Sequence, residues 1–342
     1  MRVGGNSMYR VNNAAVLSVA AVDAPEVVPS SYFDDQLEAT LNRLGLRKGL
    51  LEQVAGIQER RWWPEGVAYT DVAAEAGALA LTDSGISADQ IGLLIDTSVS
   101  RARLEPSSAV TVHHVLGLPT SCLNFDISNA CLGFVNGMQL AATMIDAGQI
   151  EYALIVDGEG SRELQSHTLA RLKSEETTAA DIMSEFASLT LGSGAAGMVI
   201  GPADRHPEGH VLVGGVGRAV TEHHLLCQGT MERGVTDSRG LLLAGLDVAE
   251  SAMKEAKSEF GWDDIDHYII HQVSTVHCNA LVERLGLDAT KVPLTFPTRG
   301  NIGPAAIPIT LAMHQHKIAR GDGVILMGMG SGINTAAAEI RW

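Results

Sequence analysis

Cys131 occupies a position suited to a sulfur nucleophile. Residues 123–128 are predicted as a buried strand, and residues 129–133 as a tight turn into a long, uncharged helix. A thiol at that point faces the unpaired N–H groups of the first helical turn, and the helix dipole favours its thiolate. A buried structural cysteine is the alternative, and this position alone weighs the two about evenly.

The elements around this cysteine are repeated later in the chain. Residues 89–100 and 263–274 match at a constant offset (263 − 89 = 174), with coinciding apolar positions. Each segment follows an alanine-rich helix, predicted at 71–84 in the first copy and 246–260 in the second. Two echoes in the same order, this one and the next, indicate a duplicated fold.

The second echo concerns two helices that carry no charge. Cys131 begins the first and Asn301 begins the second, and strands are predicted to follow at 152–156 and 324–327. Helices that are apolar on every face must be covered on every side. The sequence therefore predicts an α/β protein with five layers, αβαβα, built from two duplicated halves around two central buried helices.

The predicted halves are residues 1–205 and 206–342. The first contains a charged segment at 162–190, which we interpret as a helical insertion that forms a cap or a dimer element. A solvated surface excursion is an equally good interpretation of that segment.

Duplication places three reactive side chains at equivalent ends of the two halves. His271 follows a predicted strand at 268–270, whereas Cys131 and Asn301 begin the two central helices. A histidine after a strand is usually structural. A histidine and an asparagine placed by duplication opposite a helix-capping cysteine are better explained as one site.

Composition excludes several classes of function. The formal charge of −16, without a basic stripe, argues against a nucleic-acid partner. The four cysteines form no C-x-x-C pair and no zinc spacing, which favours a reducing cytoplasm. The glycine clusters do not match a dinucleotide fingerprint, so we expect no nicotinamide, flavin or metal.

Two apolar stretches raise the question of a membrane or an export signal. The run 14–22 resembles a weak signal-peptide core, but we favour the first strand of the fold. The stretch 127–145 has no charge but several polar residues, which predicts a buried helix and not a membrane span. We therefore expect a cytoplasmic protein that is not integral to a membrane.

The chain resembles the thiolase superfamily, specifically its ketosynthase-III-like branch. The resemblance runs from about residue 12 to the C-terminus. It is carried by Asn129-Ala130-Cys131-Leu132-Gly133, His271-Gln272-Val273-Ser274, Gly300-Asn301-Ile302-Gly303-Pro304 and Gly328-Met329-Gly330-Ser331-Gly332. It implies that Cys131 is acylated and that His271 and Asn301 hold the thioester oxygen of a second substrate. The backbone N–H groups of Cys131 and Ser331 would form the oxyanion hole.

A further set of motifs is similar to the OleA-type condensing enzymes of olefin biosynthesis. These motifs are Thr97-Ser98-Val99-Ser100, Leu104-Glu105-Pro106-Ser107 and Val156-Asp157-Gly158-Glu159. This similarity implies that Glu105 reaches the partner subunit's site and acts as the base. Without it, Glu105 would be interpreted as a surface loop residue. Glu159 is the rival carboxylate, although a hydrogen-bonding role in the loop suits it better.

The resemblance implies an acyltransferase that joins two fatty acyl-CoA molecules by non-decarboxylative Claisen condensation, giving a 2-alkyl-3-oxo acid for olefin biosynthesis. We expect a homodimer with long-chain acyl-CoA substrates, downstream pathway enzymes as further partners, and no cofactor beyond the CoA of the substrate. One alternative is a decarboxylating 3-oxoacyl-ACP synthase III that uses malonyl-ACP. A subunit of a β-lactone-forming complex and a thioesterase that needs only Cys131 and His271 are others.

Overall fold

The computed structural model describes residues 8–342, so the first seven residues of the predicted N-terminal half lie outside the described residues. This range contains fourteen β-strands and twelve α-helices. The strands are β1 Met8–Arg10, β2 Ala15–Asp23, β3 Glu26–Pro29, β4 Glu59–Trp62, β5 Ile91–Asp96, β6 Leu123–Asp126, β7 Tyr152–Glu159, β8 Gly194–Gly201, β9 His210–Ala219, β10 Cys227–Gly229, β11 Gly234–Thr236, β12 His267–Ile270, β13 Gly323–Gly330 and β14 Asn334–Arg341. The helices are α1 Ser30–Gln36, α2 Glu38–Leu44, α3 Leu50–Gln53, α4 Tyr69–Ser84, α5 Ser108–Leu116, α6 Gly133–Asp146, α7 Arg162–Leu172, α8 Ala179–Leu189, α9 Ser238–Phe260, α10 Thr275–Leu285, α11 Phe296–Arg299 and α12 Ala306–His314.

The two halves of the main sheet have matching topology. The first half has the strand order β6-β5-β7-β8-β2, and the second has the order β12-β13-β14-β9, with β1 beside β9. In both halves a parallel pair, β5 with β7 and β12 with β13, is followed by antiparallel strands. Every residue of β7 and β8 is buried, because helices cover both faces of the sheet.

The halves meet edge to edge along a short stretch of backbone. Ala15 and Val16 of β2 pair with Val211 and His210 of β9, so hydrogen bonds run continuously through ten strands. β2 is thus an interior strand of the sheet, which confirms that the apolar run 14–22 forms a strand.

The two central helices lie between the halves. α6 contacts β5, β7 and β8 on one side and β13 and β14 on the other. α12 contacts β2 and β8 as well as β12 and β13, and its residues 306–311 are all buried. With α4 and α5 outside the first half and α9 and α10 outside the second, the predicted five-layered αβαβα thiolase fold is confirmed.

The segment 162–190 forms the helices α7 and α8, which pack on each other. Thr178 caps α8 in a reciprocal arrangement with Asp181. Buried apolar residues of both helices join one cluster with Phe33 and Trp62. The segment is therefore packed onto the strands and helices that precede α4.

The predicted buried strand before Cys131 differs from the structure in its burial. Within residues 8–342, β6 pairs with β5 alone and is the edge strand, and Leu123 is 53% exposed. Among the described residues, no helix combines the length and the apolar character that a bilayer crossing requires.

Candidate active site

Cys131 lies in a strained turn between β6 and α6. Ala130 has φ of 44°, the left-handed conformation that side chains with a Cβ rarely adopt. The N–H groups of Leu132 and Gly133 donate to the carbonyls of Asn129 and Ala130, so the turn is closed before α6 begins. Cys131 is partly accessible, and the helix starts two residues later than its predicted start.

A glycine-rich hairpin packs against this turn. Gly330 is so close that an added Cβ would lie 3.1 Å from the carbonyl oxygen of Asn129. The side-chain amide of Asn334 donates to Asn129 at 3.0 Å, and Asn129 donates to Asn136 of α6 at 2.7 Å. Ser331 lies inside this hairpin, between Gly330 and Asn334. Sequence reasoning did not identify the amide chain, although its three asparagines flank the motifs already singled out.

His271 and Asn301 contact each other directly. Nε2 of His271 lies 3.2 Å from Oδ1 of Asn301, and the Gly303 N–H donates to the same Oδ1 at 3.0 Å. Because an amide N–H can only donate, Oδ1 is the acceptor, and Nε2 of His271 carries the hydrogen. The NH₂ group of Asn301 thereby remains available to a ligand oxygen.

Close backbone packing fixes Asn301. Its N–H donates to Thr190 at 2.9 Å, and its carbonyl accepts from Gly192 at 2.8 Å. A Cβ on Gly192 would lie 1.7 Å from the carbonyl oxygen of Arg299, so only glycine permits this approach. His271 is held similarly, because its N–H donates to the carbonyl of Met327 at 2.8 Å.

Gly328 connects the histidine to the cysteine turn. A Cβ on Gly328 would meet Leu132 at 3.0 Å and the Cβ of His271 at 3.3 Å. Leu132, the residue after Cys131, therefore packs on Gly328, and so does His271. Asn301 lies at the same end of the two halves, because it contacts His271. The three predicted groups are brought to one region.

Burial dominates the electrostatics of this region. It raises the pKa of the Cys131 thiol, and the neighbouring Cys227, Glu159 and Asp157 add to that effect. The thiolate that the helix terminus was predicted to favour is therefore disfavoured in the resting protein. Burial also lowers the pKa of His271 to about 4, so its imidazole is neutral near pH 7.

Three buried carboxyl groups lie where β5 and β7 end. Burial raises the pKa of Glu159 to about 7 and that of Asp96 to about 6, and it raises the pKa of Asp157 well above its ordinary value. Sequence reasoning singled out Glu159 but missed the two aspartates. Each closes a run of buried apolar residues, a placement that could have indicated them.

Glu105 lies outside this group in the described chain. It is in the exposed loop between β5 and α5, where the preceding Leu104 is 97% exposed. Within residues 8–342, the Glu105 carboxylate forms no hydrogen bond and no ion pair with another residue. Arg101 connects the start of this loop to Asp126 of β6 at 3.6 Å.

An apolar pocket has His271 in its wall. Side chains of α9, α10, β13 and β14 line it, among them Leu246, Ala249, Met253, His277, Leu281 and Met329. Its lining is almost entirely hydrocarbon, which suits an alkyl chain.

Comparisons with known proteins show the family of this chain. Residues 125–166 match the family described as 3-oxoacyl-[acyl-carrier-protein] synthase III, and residues 256–342 match its C-terminal domain. The chain is 42% identical to an acyl-CoA:acyl-CoA alkyltransferase of Xanthomonas campestris, over 96% of this chain and 99% of that one. A Shewanella oneidensis protein of the same name is 31% identical, over 95% and 97% of the two chains.

The fold also matches a solved structure. A crystal structure of a Cys-to-Ser variant of Xanthomonas campestris OleA, with bound lauric acid and lauroyl-CoA, is 42% identical. The two superpose with a TM-score of 0.95 over 97% of this chain and all of that one. Within residues 8–342, no three His, Cys, Asp or Glu side chains are grouped as metal ligands.

Proposed function

The chain belongs to the acyl-CoA:acyl-CoA alkyltransferases, within the ketosynthase-III-like branch of the thiolase superfamily, and we propose that it joins two fatty acyl-CoA molecules head to head. The observation that carries this proposal is the contact between His271 and Asn301 beside the Cys131 turn. The reaction is a non-decarboxylative Claisen condensation that yields a 2-alkyl-3-oxo acid.

The first half-reaction is transfer of an acyl group to sulfur. Sγ of Cys131 attacks the thioester carbon, the C–S bond to CoA breaks, and the thiol proton leaves with CoA. The tetrahedral oxyanion accepts hydrogen bonds from the backbone N–H groups of Cys131 and Ser331. The Asn129–Asn334 hydrogen bond joins the Cys131 turn to the hairpin that contains Ser331.

The second half-reaction forms the carbon–carbon bond. The α-carbon of a second acyl-CoA loses a proton to Glu105. The resulting carbanion attacks the acyl-cysteine carbonyl carbon, and the bond between that carbon and Sγ of Cys131 breaks, which frees the thiolate. The enolate oxygen accepts hydrogen bonds from the NH₂ of Asn301 and from the Nε2–H of His271, which the substrate then shares with Oδ1 of Asn301. Water then cleaves the remaining thioester, so two CoA molecules are released for each condensed acid.

The apolar pocket beside His271 supports a fatty acyl substrate. We assign it to one alkyl chain, because its walls are apolar side chains apart from His271, His277 and Thr335. Each buried methylene contributes about 0.8 kcal/mol, so long chains are favoured over short ones.

A homodimer would place Glu105 in a second site. The edge strand β6 has unpaired backbone groups along its open side, and Val99, Leu104, Val110 and Leu123 expose apolar side chains beside it. Asp126 accepts the N–H groups of Ser108 and Ala109, which joins α5 to this edge. Edges and apolar patches of this kind are surfaces for association, and we propose that a second copy covers them.

The proposed setting is the cytoplasm, with the CoA of the substrate as the sole coenzyme and with enzymes that convert 3-oxo acids to olefins as downstream partners. The four cysteines are free thiols, as a reducing compartment would keep them.

The deciding experiment supplies one long-chain acyl-CoA and no malonyl donor. Release of CoA and formation of the 3-oxo acid, or of the ketone it decays to, support the proposal. Free fatty acid alone would indicate a thioesterase, and product that requires malonyl-ACP would indicate a decarboxylating synthase. Cys131→Ala should abolish both CoA release and condensed product.

A further inference from the structure

Glu159 connects the base of the Glu105 loop to the rest of the site. Its Oε1 accepts the Val99 N–H at 2.6 Å, and its Oε2 accepts the Ser100 hydroxyl at 2.6 Å and the Ser100 N–H at 3.3 Å. The carboxylate is buried, with 6% of the residue exposed. Two backbone N–H groups and one hydroxyl therefore converge on a single buried carboxyl group.

Further bonds join the same two segments. The Ser100 hydroxyl accepts the Gly160 N–H at 3.0 Å, and the Ser98 hydroxyl accepts the Gly158 N–H at 2.9 Å. The end of β7 therefore holds residues 98–100 rigidly, while the loop from residue 102 to residue 106 is exposed. The direction in which that loop leaves the protein is set at Ser100.

Glu159 also borders the Asn301 turn. A Cβ on Gly303 would lie 3.7 Å from Cδ of Glu159, and Gly303 is the residue whose N–H fixes Oδ1 of Asn301. One side chain thus contacts both the base-carrying loop and the turn that holds the enolate acceptor. No step of the proposed chemistry uses this carboxylate.

We propose that Glu159 is a positioning residue that aims Glu105 by fastening residues 99 and 100 to the end of β7. This inference rests on the proposed function, in which Glu105 serves the partner's site. Glu159 therefore acts on condensation in the neighbouring subunit and leaves acylation of its own Cys131 intact. A base role for Glu159 itself is the competing explanation.

The first test compares single variants with a control. Glu159→Gln keeps the shape of the side chain but leaves the Ser100 N–H facing an NH₂ group. We expect the kcat for condensation to fall roughly tenfold or more, as a buried N–H left without its acceptor implies, with KM and the burst of CoA release unchanged. Ser100→Ala should act in the same direction, and Glu75→Gln, on the exposed face of α4, should change nothing.

Mixed dimers decide which site Glu159 serves. One protomer carries Glu105→Gln and supplies Cys131, and its partner carries Cys131→Ala and supplies Glu105. Glu159→Gln placed in the Cys131→Ala protomer should lower condensation, and placed in the Glu105→Gln protomer should leave it unchanged. The reverse result would overturn the inference, because Glu159 would then act on its own site.

A double-mutant cycle covers the case in which mixed dimers make no condensed product. That outcome contradicts a role for Glu105 in the partner's site. The positioning role of Glu159 is then tested in homodimers. There, Glu105→Asp keeps a shorter base with residual condensation, and Glu159→Gln should add no further loss to it, because both act through one group. Additive losses would refute positioning. Absence of condensed product from the unaltered enzyme would instead refute the proposed function.

Discussion

Nε2 of His271 and Oδ1 of Asn301 lie 3.2 Å apart, and the Gly303 N–H holds that oxygen from the other side. In the resting structure the Nε2 hydrogen is donated to Oδ1, so the NH₂ of Asn301 is the donor left free for a substrate oxygen, and neither side chain carries a formal charge. Replacement of the amide by a carboxylate removes one donor and adds a negative charge where the enolate forms.

Asn301→Asp should therefore lower condensation roughly a hundredfold, the usual effect of removing one donor from an oxyanion site. The burst of CoA release that reports acylation of Cys131 should change much less. Rapid-quench measurement of both products checks this expectation, with Asn42→Asp on the exposed face of α2 as the control. Equal losses in both steps would contradict the assigned role.

Glu105→Gln should still form acyl-Cys131 but no carbon–carbon bond. The amide cannot accept an α-proton, whereas the acylation groups lie elsewhere in the structure. Mass spectrometry of the intact protein would detect the acyl group, and extraction of the mixture would detect the missing 3-oxo acid. Normal condensation by this variant would exclude Glu105 as the base.

Subunit exchange tests whether Glu105 acts in the partner's site. Neither the Cys131→Ala homodimer nor the Glu105→Gln homodimer should condense acyl groups. Mixed dimers should recover activity at one of their two sites, because an intact Cys131 then meets an intact Glu105 from the other subunit. Recovery after co-expression supports transfer of Glu105 between subunits, and no recovery would indicate that both groups act within one chain.

Much of this site was accessible from sequence because duplication fixes topology. The echo between residues 89–100 and 263–274 predicted that β5 and β12 are equivalent, and both have a parallel neighbour in the structure. The convergence of His271 and Asn301 followed from that equivalence. The edge position of β6 did not, because alternation of apolar residues does not show which strand lacks a second neighbour.

Electrostatics was harder to predict than topology. The thiolate expected at Cys131 depended on the helix N-terminus alone, whereas the structure adds burial and nearby carboxyl groups, which raise the thiol pKa. Asp157 and Glu159 lie 26 and 28 positions after Cys131 in sequence (157 − 131 and 159 − 131), and only the folded sheet brings them near its thiol. Long-range burial of this kind is not encoded in a local pattern.

The raised pKa of Cys131 has a direct chemical consequence. Because only the thiolate is nucleophilic, alkylation by iodoacetamide in the absence of acyl-CoA should continue to accelerate above pH 9. His271, with its pKa lowered to about 4, remains neutral from pH 5 to pH 8 and should introduce no inflection there. A plateau of the alkylation rate near pH 7 would show that the thiol is activated at rest.

Gly192 should be irreplaceable for steric reasons. Gly192→Ala places a methyl group 1.7 Å from the carbonyl oxygen of Arg299, and the backbone must separate by more than 1 Å to relieve the overlap. We expect a loss of at least about 2 kcal/mol in the free energy of unfolding, together with reduced condensation, because Gly192 also donates to Asn301. Urea unfolding measures the first effect. Gly229→Ala, where an added Cβ meets nothing closer than 4.0 Å, is the matched control.

Glu159 should make stability depend on pH in a defined direction. Burial raises its pKa to about 7, above the ordinary value near 4.3, so the folded state holds the proton more tightly than the unfolded state does. This contribution to stability is complete below about pH 4 and is lost as the pH rises through about 7, an effect on the order of 3 kcal/mol.

Asp96, Asp157, Cys131 and Tyr69 are the titratable groups that interact with Glu159. They remain in the Glu159→Gln variant, so the difference between the two proteins reports the titration of Glu159 together with its effect on these neighbours. Urea unfolding at pH 5 and pH 8 should show a smaller decrease for Glu159→Gln than for the unaltered protein, and equal decreases would place the titration elsewhere in the cluster.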